Sequence, residues 1–139
     1  MLVKDLMSKS VTLTRPDARL TEAARRMAEE DVGALPIGED DRLVGMLTDR
    51  DIVIRAVARN RPAAETTVRD AMSEGIRYCM ETDAVEKAAD IMAREQVRRL
   101  PVINSNKRLV GIVSLGDLAT EGPSESAEEA LAGVSREAS

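Results

Sequence analysis

Apolar residues along the chain fall into alternating strand and helix phases. Val3-Lys4-Asp5-Leu6-Met7-Ser8 is a short amphipathic opening, and Val11-Thr12-Leu13 alternates like a brief strand. After Pro16-Asp17, the residues Leu20, Ala23, Ala24 and Met27 recur at helical spacing, with Gly33 as the expected stop. Ala34-Leu35-Pro36-Ile37 reads as an apolar strand, the polar run from Gly38 to Arg42 as a hairpin turn, and Leu43 to Leu47 as the returning strand. From Asp49, the residues Ile52, Val53, Ala56 and Val57 mark a second helix, ended by Asn60-Arg61-Pro62.

The series then returns. Val68-Arg69-Asp70-Ala71-Met72-Ser73 repeats the opening hexapeptide at an offset of 65 (68 minus 3). Val85, Ala88, Ala89 and Met92 repeat the first helix, and Leu100-Pro101-Val102 repeats Leu35-Pro36-Ile37, at the same offset. One additional residue in the second turn moves the offset to 66, so Gly111 matches Gly45 and Asp117 matches Asp51. A constant offset broken once, inside a turn, indicates a duplication. The pattern predicts an α/β (α+β) chain of two β-α-β-β-α repeats, residues 1–62 and 68–120, joined by a linker at 63–67. Two copies are too few for a solenoid and are expected to pack face to face about a pseudo-twofold axis. The tail, 121–139, differs in composition. Ser126-Ala127-Glu128-Glu129 fits a capping box, with Ala130, Leu131 and Val134 as a weak apolar stripe. It reads either as a frayed acidic tail or as a short helix docked on a partner subunit.

Composition narrows the chemistry. The chain has no Trp, no Phe and one Tyr, Tyr78, so any planar ligand must be held between aliphatic side chains. The net charge of -5 is concentrated in 121–139, where five acidic residues face one basic one, leaving -1 over the other 120 residues. That balance, with so few aromatics, excludes the basic or stacking surfaces that nucleic acids require. The absence of histidine removes a histidine general base, a Ser-His-Asp triad and a histidine-bearing zinc site. Cys79, the single cysteine, excludes an internal disulfide and reads as a small buried hydrophobe. Glu39-Asp40-Asp41 lacks EF-hand spacing and reads as a solvated turn. With no membrane-length apolar run and no signal-peptide core at the N-terminus, a cytoplasmic location without membrane attachment is the expectation.

The candidate chemistry lies in the repeated stretch Gly45-Met46-Leu47-Thr48-Asp49-Arg50-Asp51 and its copy Gly111-Ile112-Val113-Ser114-Leu115-Gly116-Asp117. Each places a hydroxyl and a carboxylate at an expected strand-to-helix turn, where backbone N–H groups are free. Thr48 and Ser114 serve there as plain N-caps, with Asp51 and Asp117 favourably placed on the helix dipole, or the two pairs hold a sugar hydroxyl and a phosphate.

Two such repeats, each with Leu-Pro-Ile or Leu-Pro-Val on the middle strand, resemble the cystathionine-β-synthase (CBS) domain pair, or Bateman module, over roughly residues 1–120. The resemblance implies a non-enzymatic regulatory module that takes adenosine-containing ligands (AMP, ATP, NAD or S-adenosylmethionine) in clefts between repeats. It needs no obligatory cofactor, and it implies a homodimer in which two pairs stack through their helices into a four-domain disc. It also implies that Asp51 and Asp117 contact ribose hydroxyls and that Thr48 and Ser114 contact ribose or phosphate. Val11-Thr12 and Val32-Gly33 would line the Asp117 cleft, and Ile76-Arg77 and Val97-Arg98 the Asp51 cleft. Arg98 and Arg99 match a basic pair aimed at phosphate, a role that suits the guanidinium fork. Gly33-Ala34 replaces that pair in the first repeat, and Arg50 stands where the second has Gly116, so different phosphate tolerance is expected of the two sites. The alternative is a ligand-independent scaffold with vestigial clefts that acts through protein contacts.

Overall fold

The computed structural model describes residues 1–9, 11 and 13–135. The chain divides into two compact units, 12–76 and 1–11 together with 77–139. These are not the boundaries drawn from the repeat. Each opening hexapeptide packs into the unit built from the other repeat, because its apolar residues find their core there. Helix α1 (Val3–Leu6) buries Val3 and Leu6 against Cys79, Val85, Leu100, Val113 and Leu118. Helix α4 (Val68–Ala71) buries Val68 and Ala71 against Leu20, Leu35, Ile37 and Leu47.

In the unit 12–76, helix α2 (Leu20–Glu30) turns Leu20, Ala23 and Met27 to the core as the spacing predicts. It begins at Leu20, three residues later than Asp17. It ends on Asp31, not on Gly33: Asp31 takes the left-handed conformation at φ 53°, which a short polar side chain tolerates. Strands β1 (Ala34–Glu39) and β2 (Arg42–Thr48) pair antiparallel through the two-residue loop Asp40-Asp41. Both loop residues have positive φ, as a type I′ turn demands. The expected first strand, Val11-Thr12-Leu13, includes Thr12, which lies outside the described residues; next to it Thr14 makes a parallel bridge to Ile37.

Helix α3 (Asp49–Ile52) gives way at once to a π-helical turn, Val53–Val57. Ala58 N–H reaches Val53 O at 2.8 Å and Arg61 N–H reaches Ala56 O at 2.9 Å, both five residues back. The wider turn changes the phase of the side chains. Ala56 is buried, whereas Val53 and Val57, which helical spacing assigns to the core, are 55% and 66% exposed. Arg55 then donates to Ala71 O (3.0 Å) and Met72 O (2.8 Å), capping the carbonyls that α4 leaves free.

The other unit repeats the plan with β3 (Cys79–Met80), α5 (Val85–Glu95), β4 (Arg99–Ile103), β5 (Leu109–Ser114) and α6 (Leu115–Glu121). The sheet order is β3-β4-β5, with β3 parallel and β5 antiparallel to β4. This unit's first strand lies at Cys79–Met80, beyond Ile76-Arg77-Tyr78, which correspond to Val11-Thr12-Leu13 at the repeat offset of 65. Helix α5 ends like α2, with Gln96 left-handed at φ 56°.

The tail forms helix α7 (Ser124–Val134). It docks on α5 of its own chain, in place of either expectation for it. Pro123 occupies the N-cap position, so Ser126 lies inside the helix, buried, and makes no capping box. Ala130 is fully buried, and Gly133 approaches α5 so closely that an added Cβ would stand 2.2 Å from Ala93 Cα.

The glycines that open the two motifs have one explanation. Ser73 exchanges both backbone hydrogen bonds with Met46, and Ser8 does the same with Ile112, at 2.8–2.9 Å. The exchanged hexapeptide therefore crosses directly over Gly45 or Gly111. A Cβ on Gly45 would lie 2.8 Å from Met72 Sδ and 2.9 Å from Ser73 O. On Gly111 it would lie 2.7 Å from Met7 Sδ and 2.8 Å from Ser8 O. Met7 and Met72 are thus packing residues.

Candidate functional site

Both motifs form the same strand-to-helix turn. Thr48 Oγ1 accepts from Asp51 N–H at 3.0 Å while Asp51 Oδ2 accepts from Thr48 N–H at 2.9 Å. Ser114 and Asp117 make the same reciprocal pair at 3.1 and 2.9 Å. These are capping boxes that satisfy two otherwise orphaned donors at each turn. They leave the hydroxyl protons and Asp51 and Asp117 Oδ1 uncommitted among the described residues. A hydroxyl that donates beside a carboxylate oxygen that accepts complements a pair of vicinal hydroxyls.

A further backbone bond fixes what stands beside each turn. Asp49 N–H donates to Gly33 O at 2.9 Å, and Leu115 N–H donates to Arg98 O at 2.8 Å. The structure therefore brings Val32 and Gly33 to the Asp51 turn, and Val97, Arg98 and Arg99 to the Asp117 turn, each within its own unit. Val32 and Val97 are half-buried and packed on their units' cores. Val11 and Ile76 are half-buried loop residues, and Thr12 lies outside the described residues. Arg77 is held by Glu95 at 2.6 Å. The Arg77 hydrogen bond, and then its charge, lower the Glu95 carboxyl below its ordinary range.

The two turns differ in charge. An added Cβ at Gly33 would lie 3.1 Å from Asp49 Oδ2, so the first turn carries a carboxylate beside the position where the second carries Arg98. At the second turn Leu115 replaces Asp49, and Arg98 and Arg99 are exposed and in no ion pair among the described residues. The first turn thus carries Asp49 and Arg50, of opposite charge, where the second carries Leu115 and Gly116 beside two arginines.

The second turn opens into a hollow of about 500 Å³. Arg98, which the resemblance assigns to the Asp51 cleft, lines it with Arg99 and Ser114, and so do Ala127, Glu128 and Leu131 of α7, from the tail expected to be frayed or a short docked helix. A second hollow, of about 600 Å³, runs along α2 past Arg25, Arg26, Glu22 and Glu29 and contains none of the expected site residues.

A duplicated mixed sheet-and-helix frame with a hydroxyl–carboxylate turn in each copy is the architecture of tandem CBS proteins. The CBS domain family profile matches residues 3–57 and 68–124, and the chain belongs to that family. It is 43% identical over 136 residues to the CBS domain-containing protein YhcV of Bacillus subtilis, covering 97% of this chain and 96% of that protein. It is 44% identical over 121 residues to hypoxic response protein 1 of Mycobacterium tuberculosis, covering 86% and 84%. A crystal structure of hypoxic response protein I with two coordinated zinc ions superposes with TM-score 0.76 at 42% identity, over 86% of this chain and 97% of that one. A CBS domain pair solved in complex with 5′-methylthioadenosine and S-adenosyl-L-methionine superposes with TM-score 0.73 at 29% identity, over 86% and 93%. This chain lacks histidine, and among the described residues no three Cys, Asp or Glu side chains cluster to hold a metal.

Proposed function

We propose that the chain is a non-enzymatic regulatory module that binds an adenosine-containing ligand such as AMP, ATP or NAD and passes occupancy to a partner protein as a change of conformation. The observation that carries the reading is the Asp117 turn, where a carboxylate oxygen and a hydroxyl proton, uncommitted among the described residues, stand beside two arginines in no ion pair among those residues. The related CBS pair in complex with two adenosine derivatives supports the ligand class. The Asp117 site is the stronger of the two and the Asp51 site the weaker, because two arginines stand at the former and the opposite charges of Asp49 and Arg50 at the latter. Occupancy is transmitted only if ligand binds one arrangement of the module better than another. The module acts in the cytoplasm as a homodimer, for which the exposed Val53, Ile54 and Val57 supply an apolar helical face.

The test uses the composition. With Tyr78 the sole Trp or Tyr, a co-purified nucleotide dominates absorbance near 260 nm, and denaturation releases it for identification. A nucleotide in the released fraction supports the reading. None there, and no binding of AMP, ATP or NAD, removes it.

The second reading, a ligand-independent scaffold, is favoured by the completeness of the capping boxes, which give all four motif residues a structural task without any ligand. A partner captured equally well by the parent and by Asp51→Asn, Asp117→Asn would select it.

A further inference from the structure

Helix α7 has no counterpart in the other repeat, and it borders the hollow at the stronger turn. Helix α2 keeps Ala24 exposed, whereas the matching Ala89 of α5 is buried. Helix α7 covers α5 in close contact. Ser126 and Ala130 are buried, and Gly133 rests on the Ala93 backbone with no room for a side chain. The same docking holds Glu128 and Leu131 at the rim of the hollow, with Leu131 52% exposed, facing a cavity of about 500 Å³ that also contains Arg98 and Arg99.

We propose that α7 is the specificity wall of this site: Leu131 shelters the apolar part of the ligand, and Glu128 admits a monophosphate or an uncharged tail while excluding a polyphosphate. The inference rests on the adenosine-ligand reading above. Two arginines and one glutamate give the hollow a net charge of +1. A monophosphate carries about -2 at neutral pH. A triphosphate extends roughly twice that charge past the arginines, and Glu128 then repels what they attract. The glutamate thus affects a long anionic tail more than a short one.

The experiment is calorimetric titration of the full chain with AMP and with ATP. The parent is expected to bind AMP more tightly than ATP, by about tenfold. Glu128→Gln is expected to narrow that ratio about three- to tenfold, mainly by improving ATP, in moderate salt. Leu131→Asp weakens both ligands. Gly133→Leu, which cannot seat α7 on α5, collapses the preference as well. Glu128 is exposed, so Glu128→Gln folds like the parent and tests the inference even if Gly133→Leu does not fold. Asp117→Asn weakens both ligands and leaves their ratio unchanged. If nucleotide binds and depends on Asp117 while Glu128→Gln keeps the parental ratio, the wall is overturned and the nucleotide reading stands. If neither nucleotide binds the parent, both fall.

Discussion

Gly111→Ala tests the exchange of hexapeptides on which both compact units depend. The new methyl would stand 2.7 Å from Met7 Sδ and 2.8 Å from Ser8 O, inside the 3.0 Å that real Cβ contacts respect. The two contacts differ in kind. Met7 Sδ is near the end of a flexible side chain and moves at small cost. Ser8 O is backbone, and it cannot retreat without stretching its 2.9 Å bond from Ile112 N–H and the reciprocal 2.8 Å bond. Overpacking of this type costs about 1–3 kcal/mol. Weakening two backbone bonds adds about 0.5–1.5 kcal/mol each. The extended backbone accepts alanine, so a loss of unfolded-state entropy returns about 0.4–1 kcal/mol. The expected net loss is about 1–5 kcal/mol, centred near 3, read as a lowered urea midpoint with an unchanged slope. Gly45→Ala should behave alike through Ser73 O. Adding Met7→Ala to Gly111→Ala should not restore stability, because the backbone contact remains. A Gly111→Ala variant within about 0.5 kcal/mol of the parent would refute the crossing.

Three further outcomes follow from other contacts. Arg55→Ala removes two hydrogen bonds to the last carbonyls of α4 and should cost about 1–3 kcal/mol in urea unfolding. Burial, followed by the charge of Asp83, pushes the Cys79 thiol from its ordinary 9.0 up to about 12. The native protein should therefore resist thiol alkylation at pH 8 and react on unfolding. Because the folded state holds the proton more tightly, the stabilisation from Cys79 is complete below about pH 9 and is lost as pH rises towards 12. Stability should fall there by up to about 1.4 kcal/mol per pH unit, a slope that Cys79→Ala abolishes. Asp117→Asn keeps an acceptor for Ser114 N–H, so thermal stability without ligand should stay within about 1 kcal/mol of the parent while ligand-induced stabilisation is reduced.

The duplication and both motif turns were legible because they depend on local periodicity and short spacing. Leu20, Ala23 and Met27 need no partner to declare a helical face. The hairpin follows from the polar run Gly38 to Arg42 between two apolar runs. What eluded the sequence was set by contacts distant along the chain. Nothing in Val3 or Leu6 says that their core lies beyond residue 77, or that Gly45 is glycine because Ser73 crosses it. The π turn at Val53–Val57 defeated helical spacing, since hydrogen bonds to the fifth residue back rotate Val53 and Val57 outward. Helix α7 was one of two readings of the tail, but its docking on α5 of the same chain was not legible, because that packing uses Ala130 and Gly133, small residues with little hydrophobic signal. Arg98 and Arg99 were found as a motif. The closing of their hollow by Glu128 and Leu131 came from that helix.

The most direct test of the nucleotide reading is calorimetric titration of nucleotide-stripped protein with AMP, ATP, NAD and S-adenosylmethionine, each repeated on Asp117→Asn. The account predicts saturable binding of at least one of them, weakened about tenfold or more in the variant, the loss expected when a charge-assisted contact to the ribose is replaced by a neutral one. No saturable heat with any of the four, or equal affinity in Asp117→Asn, would contradict it.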